Sequence, residues 1–325
     1  MIDNNDYIFE DIESCICVGE YNDEYVYDIE MDDDTHTFIC NDVLVHNSAY
    51  ITVNPLLESC QIPSYMGTQF IDAVYTLSLA PYIKNSLEDY SKVFNCDENV
   101  EEFELEKIAR TVIYLAKKHY VMDIAWDDSG TFYDSLNKII YAGIEVVQGS
   151  TPPWCRDKQK DFIKWILSYY NNGDKPKYAD IVAKVKEYRK QFELQDPDLI
   201  FKAMNLNDYE KYILDDKASI TYAEDKTVPQ HARAAAKYNN TLYNKAKKYL
   251  SKYNVIKRGN RIKIYYTSPD ETFAYLPYAF PIEFAEKIDY ETNFEKTMLM
   301  PLNRIIMAAG FQPIPARLTY SSPLW

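Results

Sequence analysis

Charge divides this chain before any fold is considered. Residues 1–47 hold 14 Asp and Glu and no Lys or Arg, whereas residues 48–325 hold 36 acids and 35 bases. The boundary falls between Asn47 and Ser48, and a leader of one charge sign joined to a balanced remainder marks two units of different origin. A second island is basic: Lys226, Arg233, Lys237, Lys245, Lys247, Lys248, Lys252, Lys257, Arg258, Arg261 and Lys263 occur between 226 and 263 with no acid among them. Clustered cations of this kind are the electrostatic footprint of a nucleic-acid surface.

The 325 residues are 47% apolar and 15% aromatic, enough to bury a core in two or three compact units. Cys15, Cys17, Cys40, Cys60, Cys96 and Cys155 lack paired metal spacing. Cys15 and Cys17 share one face of a predicted strand and read as small buried hydrophobes, which suits a reducing cytosol. A secretory signal is not expected, because Asp3, Asp6, Glu10 and Asp11 occupy the place of a basic, then apolar, leader. The longest apolar run, 70–83, contains Asp72 and Pro81 and is too short to span a bilayer.

Residues 1–47 alternate as short strands, "ESCICVG", "EYVYDIE", "HTFIC" and "DVLVH", separated by Asn and Asp turn signals. Residues 67–94 have helical spacing interrupted near Pro81, and the β-branched, aromatic stretch 103–147, with its "DDSG" turn at 127–130, predicts antiparallel strands. From "STPPW" onward the pattern is helical, with a Ser or Thr cap and prolines in the first turn. Helices are expected over 178–191, 229–253 and 293–309, with a hairpin at 261–278.

The junction carries chemistry of its own. An Asn side-chain amide can attack its own carbonyl carbon, close a succinimide and release the following residue as an amine. A preceding His, a second His and a hydroxyl on the next residue assist that step and hold an acyl group as an ester. His46, Asn47, Ser48 and His36 supply those groups. The stretch "VYDIEMDDDTHTFICNDVLVHNS" resembles the two C-terminal motifs of inteins. The resemblance implies that Asp28 organises the branched intermediate, His36 and His46 assist cyclisation, Asn47 cyclises and Ser48 is the first residue of the flanking protein. Because the N-terminal intein nucleophile and the segment after it are not in the sequence, the likeness is to the C-terminal half of a split intein. Its partner would be an N-terminal half carrying the complementary intein fragment, and so acidic a fragment would be steered to a basic one.

The flanking residues, "SAYITVN", are similar to the strand after the Asp-Thr-Asp turn of family B DNA polymerases. "AKKHYVMDI" resembles that family's Lys-Lys-Arg-Tyr segment, with His119 in place of Arg; read as part of a strand, Lys117, Lys118 and Tyr120 would reach duplex phosphates and the minor groove near the primer end. "YAGIEVVQGSTPPW" resembles the passage from palm to thumb, with Gln148 as in tailed-phage members. "VPQHARAAAKYNNTL" resembles a thumb helix whose His231 and Arg233 face DNA, and it overlaps the basic island, adding Lys237, Lys245 and Lys248 as expected DNA contacts. The end of the chain, with Leu318, Tyr320, Leu324 and Trp325, lies where phage relatives carry a tail for a sliding clamp.

The expected fold class is therefore α+β and multidomain: a small all-β intein half of the HINT type at 1–47, antiparallel palm strands with helices at 48–147, and a mostly α-helical thumb at 148–325. The resemblance implies a phage-encoded, cytoplasmic protein that binds primer–template DNA and becomes a nucleotidyltransferase only after ligation. Two Mg2+ ions would then be held mostly by carboxylates of the partner chain, with deoxynucleoside triphosphates as the substrates. No metal is expected on this chain, although Glu106 resembles a glutamate near those ions, and no membrane association is expected. The alternatives are a DNA-binding accessory subunit with an acidic tail, or a polymerase whose halves assemble noncovalently.

Overall fold

A computed structural model of the chain describes residues 16–21, 24–28, 37–40, 43–46, 53–93, 104–207, 209–212 and 228–319. It is a mixed α/β protein built from small antiparallel sheets and many helices, and it divides into two units, 1–104 and 105–325. Among the described residues, no helix is long and apolar enough to cross a membrane.

In the first unit, β1 (Ile16–Tyr21) pairs antiparallel with β2 (Glu24–Asp28), with a register shift between Cys17 and Glu20. β3 (Thr37–Cys40) pairs with β4 (Val43–His46), Thr37 opposite His46 and Cys40 opposite Val43. All four strands fall where alternation and turn signals put them. After α1 (Asn54–Ser59), helical backbone runs through α2 (Gly67–Val74), a π-helical turn at Tyr75–Leu79 and α3 (Ala80–Val93). The interruption expected near Pro81 is this widened turn. A proline ring collides with the carbonyl four residues back in a regular helix, and a five-residue spacing, here from Ala80 N–H to Tyr75 O, relieves that contact.

The second unit opens with β5 (Lys107–Ala116), β6 (His119–Asp127) and β7 (Ile139–Ala142), an antiparallel sheet in the order β5-β6-β7. Central β6 buries Val121, Met122, Asp123, Ile124 and Ala125 in succession, the signature of a strand covered on both faces. There follow α4 (Pro153–Asn171), α5 (Tyr178–Phe192), the short α6 (Pro197–Ile200) and β8 (Lys202–Asn205). Next come α7 (Gln230–Asn244), β9 (Arg261–Tyr266), β10 (Thr272–Tyr275), α8 (Tyr290–Phe294) and α9 (Met300–Ala308). β10, β9 and β8 form the second sheet in that order. α8 and α9 are joined by a π turn at Glu295–Leu299 that ends two residues before Pro301, repeating the device seen at Pro81.

Two local expectations are corrected. α4 starts with Pro152 as its N-cap, without a side-chain cap, because Thr151 turns its hydroxyl back to the Glu145 carbonyl at 2.6 Å. The helix expected over 229–253 stops at Asn244. The chain then folds back through a 3-10 turn at Lys247–Tyr249, which lets Tyr249 and Tyr253 join Tyr238 around the Phe284 ring, with centroids 6.3, 5.3 and 5.6 Å away. A single straight helix would point these rings to different sides.

One core serves sheet and helices: Ile113 and Val121 of the first sheet, Phe162 and Ile166 of α4, Val185 and Phe192 of α5, Tyr265 and Phe273 of the second sheet, and Leu302 and Ile306 of α9 belong to the same buried cluster. The fully buried Asp123 ties sheet to helix. Its carboxylate accepts from Asn171 Nδ2 at 2.7 Å and from Leu136 N at 3.0 Å, holding Leu136 at φ +64°, and lies 3.7 Å from Arg110 Nη1. Asp123→Ala strands those donors and is expected to destabilise the second unit by about 3 kcal/mol, read as a lower urea midpoint.

Candidate nucleic-acid interface

Lys117 and Lys118 do not lie on a strand, as the sequence reading had them. They form the two-residue turn between β5 and β6, where Ala116 pairs with His119 and Tyr114 with Tyr120. The turn presents both ammonium groups at an exposed apex. Lys118 takes φ +59°, a left-handed conformation that costs a residue with a β-carbon about 1–2 kcal/mol. His119 Nδ1 lies 2.6 Å from the Lys117 carbonyl oxygen; a carbonyl only accepts, so the ring carries its proton on Nδ1 and donates it there.

The glycine of "YAGIE" explains why the turn holds its shape. Gly143 has φ +62°, and a β-carbon built on it would lie 2.5 Å from Lys118 O and 2.9 Å from His119 Cδ2. Two segments that the sequence reading matched separately are thus brought into backbone contact. The exposed Tyr114, which sequence reasoning missed, stands directly opposite Tyr120 with ring centroids 6.4 Å apart and edge-on. Its signal was present in the strand alternation, two residues before the Lys-Lys pair, but an exposed tyrosine on a strand is common enough to pass unnoticed.

The basic island resolves into spent and available charge. Lys237 of α7, expected to face DNA, instead bridges Glu286 and Glu271 at 2.6 and 2.9 Å. Burial lowers its pKa, and the hydrogen bonds to Glu286 and Glu271 outweigh that effect and raise it. Lys252 pairs with Glu283 at 2.5 Å, and Glu283, which also accepts from the Tyr253 hydroxyl, is held down to about 2 by those hydrogen bonds. Lys263 is buried and donates to the carbonyls of Asp198 and Phe201 at 2.7 and 3.2 Å. By contrast, Lys245, Lys247 and Lys248 are exposed after the end of α7, Lys248 lying over the Tyr249 ring at 4.9 Å. His231 is half-buried, and burial lowers its pKa; Arg233 is half-buried on the same helix.

The remaining expected residues are placed as follows. Asp28 ends β2 and His46 ends β4, while His36, Asn47 and Ser48 lie outside the described residues. Leu318 is partly exposed at the end of a 3-10 turn, Ala316–Leu318, and Tyr320, Leu324 and Trp325 lie outside the described residues. Glu106 is exposed and pairs with Lys107 at 2.9 Å. One carboxylate already matched to an ammonium does not fit a two-metal site. Among the described residues, no group of three or more His, Cys, Asp or Glu could hold a metal ion.

No protein-family model matches the chain, and no curated protein matches it.

Two outcomes test this geometry. Gly143→Ala, strained in φ and colliding with backbone, is expected to cost about 2–4 kcal/mol in a denaturant titration. Lys248→Ala should lower the salt slope of duplex binding by about one unit, whereas Lys237→Ala should leave that slope unchanged and lower thermal stability.

Proposed function

We propose that this chain is the C-terminal portion of a replicative family B DNA-directed DNA polymerase, joined to its N-terminal portion by protein trans-splicing through residues 1–47. The observation that carries the DNA-binding part is the contact between Gly143 and the Lys117–Lys118 turn, which puts two polymerase-like motifs together beside an exposed pair of ammonium groups. The available lysines after α7 support the same reading, since a duplex needs a line of cations along its phosphates. The splicing part rests on the motif around Asp28, His36, His46, Asn47 and Ser48.

In the proposed reaction the acyl group of the upstream partner has been passed to Ser48 Oγ as an ester. The Asn47 side-chain nitrogen attacks the Asn47 carbonyl carbon; the bond to Ser48 nitrogen breaks, the intein leaves with a C-terminal succinimide, and Ser48 gains a free amine. His46 polarises that carbonyl, and His36 delivers a proton to the leaving nitrogen. The amine then attacks the ester carbonyl, Oγ is expelled and reprotonated, and an ordinary peptide bond remains. In the ligated product Lys117, Lys118 and Tyr120 hold the duplex near the primer end, and Lys245 and Lys248 contact phosphates further along. Two Mg2+ ions would supply the nucleotide-transfer chemistry from carboxylates of the partner portion, which Glu106 alone does not replace.

The test is intact mass after mixing this chain with the N-terminal half. A new species containing residues 48–325 plus the partner's polymerase segment, appearing together with primer extension and abolished by Asn47→Ala, is the expected result. Extension with unchanged masses would mean noncovalent halves, and neither extension nor ligation would favour an accessory DNA-binding subunit.

A further inference from the structure

One edge of the first sheet is open. Among the described residues β7 pairs only with β6, and Ile124 N–H donates to Lys138 O at 2.9 Å, which makes Met122–Ile140 and Tyr120–Ala142 the hydrogen-bonded pairs of that antiparallel ladder. Ile139 and Tyr141 alternate with them and therefore turn their N–H and C=O groups away from β6. Among the described residues, nothing donates to or accepts from those groups. An unpaired row of this kind is a template for another strand.

Beside the edge runs a groove of about 370 Å³, bounded by Ile139 and Tyr141 on the strand and by Asp157, Lys160, Asp161 and Lys164 on α4. The helix positions follow i, i+3, i+4 and i+7 spacing, which sets them on one stripe. Lys160 Nζ lies 5.6 Å from the centre of the Tyr141 ring, while Asn171, at the far end of the helix, reaches Ser135 and Asp123, the residue opposite Ile139. Helix and strand thus run antiparallel. The two middle charges are engaged, Lys160 by that ring and Asp161 by Lys158 at 3.9 Å. Asp157 and Lys164 are exposed at opposite ends of the stripe, with no ionic partner among the described residues. The groove is negative at one end and positive at the other.

A bipolar groove beside an open strand is complementary to itself. A two-fold axis through Ile140, normal to the sheet, sets Ile139 opposite the partner's Tyr141 and Tyr141 opposite the partner's Ile139. Each pair exchanges both of its outward N–H···O bonds and places a β-branched side chain beside an aromatic ring. The same axis reverses α4, so that Asp157 faces the partner's Lys164 and Lys164 faces the partner's Asp157. The body of the chain does not oppose this approach, because residues 48–325 hold 36 acids and 35 bases.

We propose that β7 and the charged stripe of α4 form a dimer interface with a second copy of this chain, joining the two sheets edge to edge. The interface goes beyond the nucleic-acid and splicing readings and stands without them.

The experiment is sedimentation equilibrium of the full chain over a concentration series, with amide hydrogen exchange at its two extremes. A short edge makes a weak dimer, so the mass should climb towards twice that of the monomer with a dissociation constant of about 10–100 µM. The amides of Ile139 and Tyr141 should exchange freely in dilute solution and be protected in concentrated solution. Lys164→Glu and Asp157→Lys each set like charges together and are expected to weaken association about tenfold. An equimolar mixture of the two variants should regain the wild-type strength, since every charge then meets its opposite. A wild-type chain that stays monomeric throughout overturns the proposal, as does a dimer that neither reversal weakens. Protection of Ile139 and Tyr141 in the dilute monomer would mean that another segment of the same chain covers the edge, and protection gained only on adding the N-terminal half would mean a different partner; either overturns the second copy, and neither depends on a variant.

Discussion

A carboxylate removed from water organises the second unit. Asp123 lies in the middle of the central strand, where an unpaired charge would be intolerable, and each of its partners comes from a different element: Asn171 from the end of α4, Leu136 from the loop before β7, Arg110 from β5. Asn171 in turn receives the Thr111 hydroxyl at 2.7 Å. The sheet thus meets the first long helix through matched polar groups as well as through the apolar contacts of Ile113 and Val121. That fixed relation keeps β6 and β7 aligned, and their alignment brings Gly143 against the Lys118 carbonyl.

Charge counted along a sequence differs from charge offered to a partner. The island at 226–263 contains no acid, yet acids from beyond it, Glu271, Glu283 and Glu286, fold back and occupy Lys237 and Lys252. Lys263 is drawn inward to cap carbonyls around α6. What reaches solvent lies around Lys245, Lys247 and Lys248 after α7 and around Lys257 and Arg258 before β9. Arg304, unremarkable in sequence, is likewise matched, to Glu145, and Arg261 at the end of the island donates to the Gly149 carbonyl. The exposed charge is set by topology, not by runs of like residues.

Much of the local structure was legible. The four acidic-region strands, the three-stranded sheet from 107 to 142, α5 and the late hairpin follow from periodicity and turn residues, and Pro81 announced its own irregularity. What escaped was set by tertiary contact. Phe284 lies 40 residues beyond the end of α7, so nothing in 229–253 could say that the helix must stop to let Tyr249 and Tyr253 turn toward it. Thr151 looked like a cap because its chemistry suits one, but the Glu145 carbonyl competed for its hydroxyl. Of the candidate site, residue types and motifs were readable, whereas the turn geometry of Lys117–Lys118 and the partners of Lys237 were not.

The links from α4 and its preceding loop to the chain's last helical region have a temporal side. Gln159 Nε2 reaches Thr297 O at 3.2 Å, the Tyr170 hydroxyl reaches Ala309 O at 2.5 Å, and Arg304 reaches Glu145, contacts spanning 138, 139 and 159 residues. Closing loops of that length is entropically costly and slow, whereas the β5–β6 hairpin needs only neighbours. On a ribosome the hairpin can form early, while the segment around Glu145 must wait for α9 to emerge. The order of synthesis therefore leaves the ion pair that fastens the loop before α4 to α9 as one of the last contacts of the molecule to be completed.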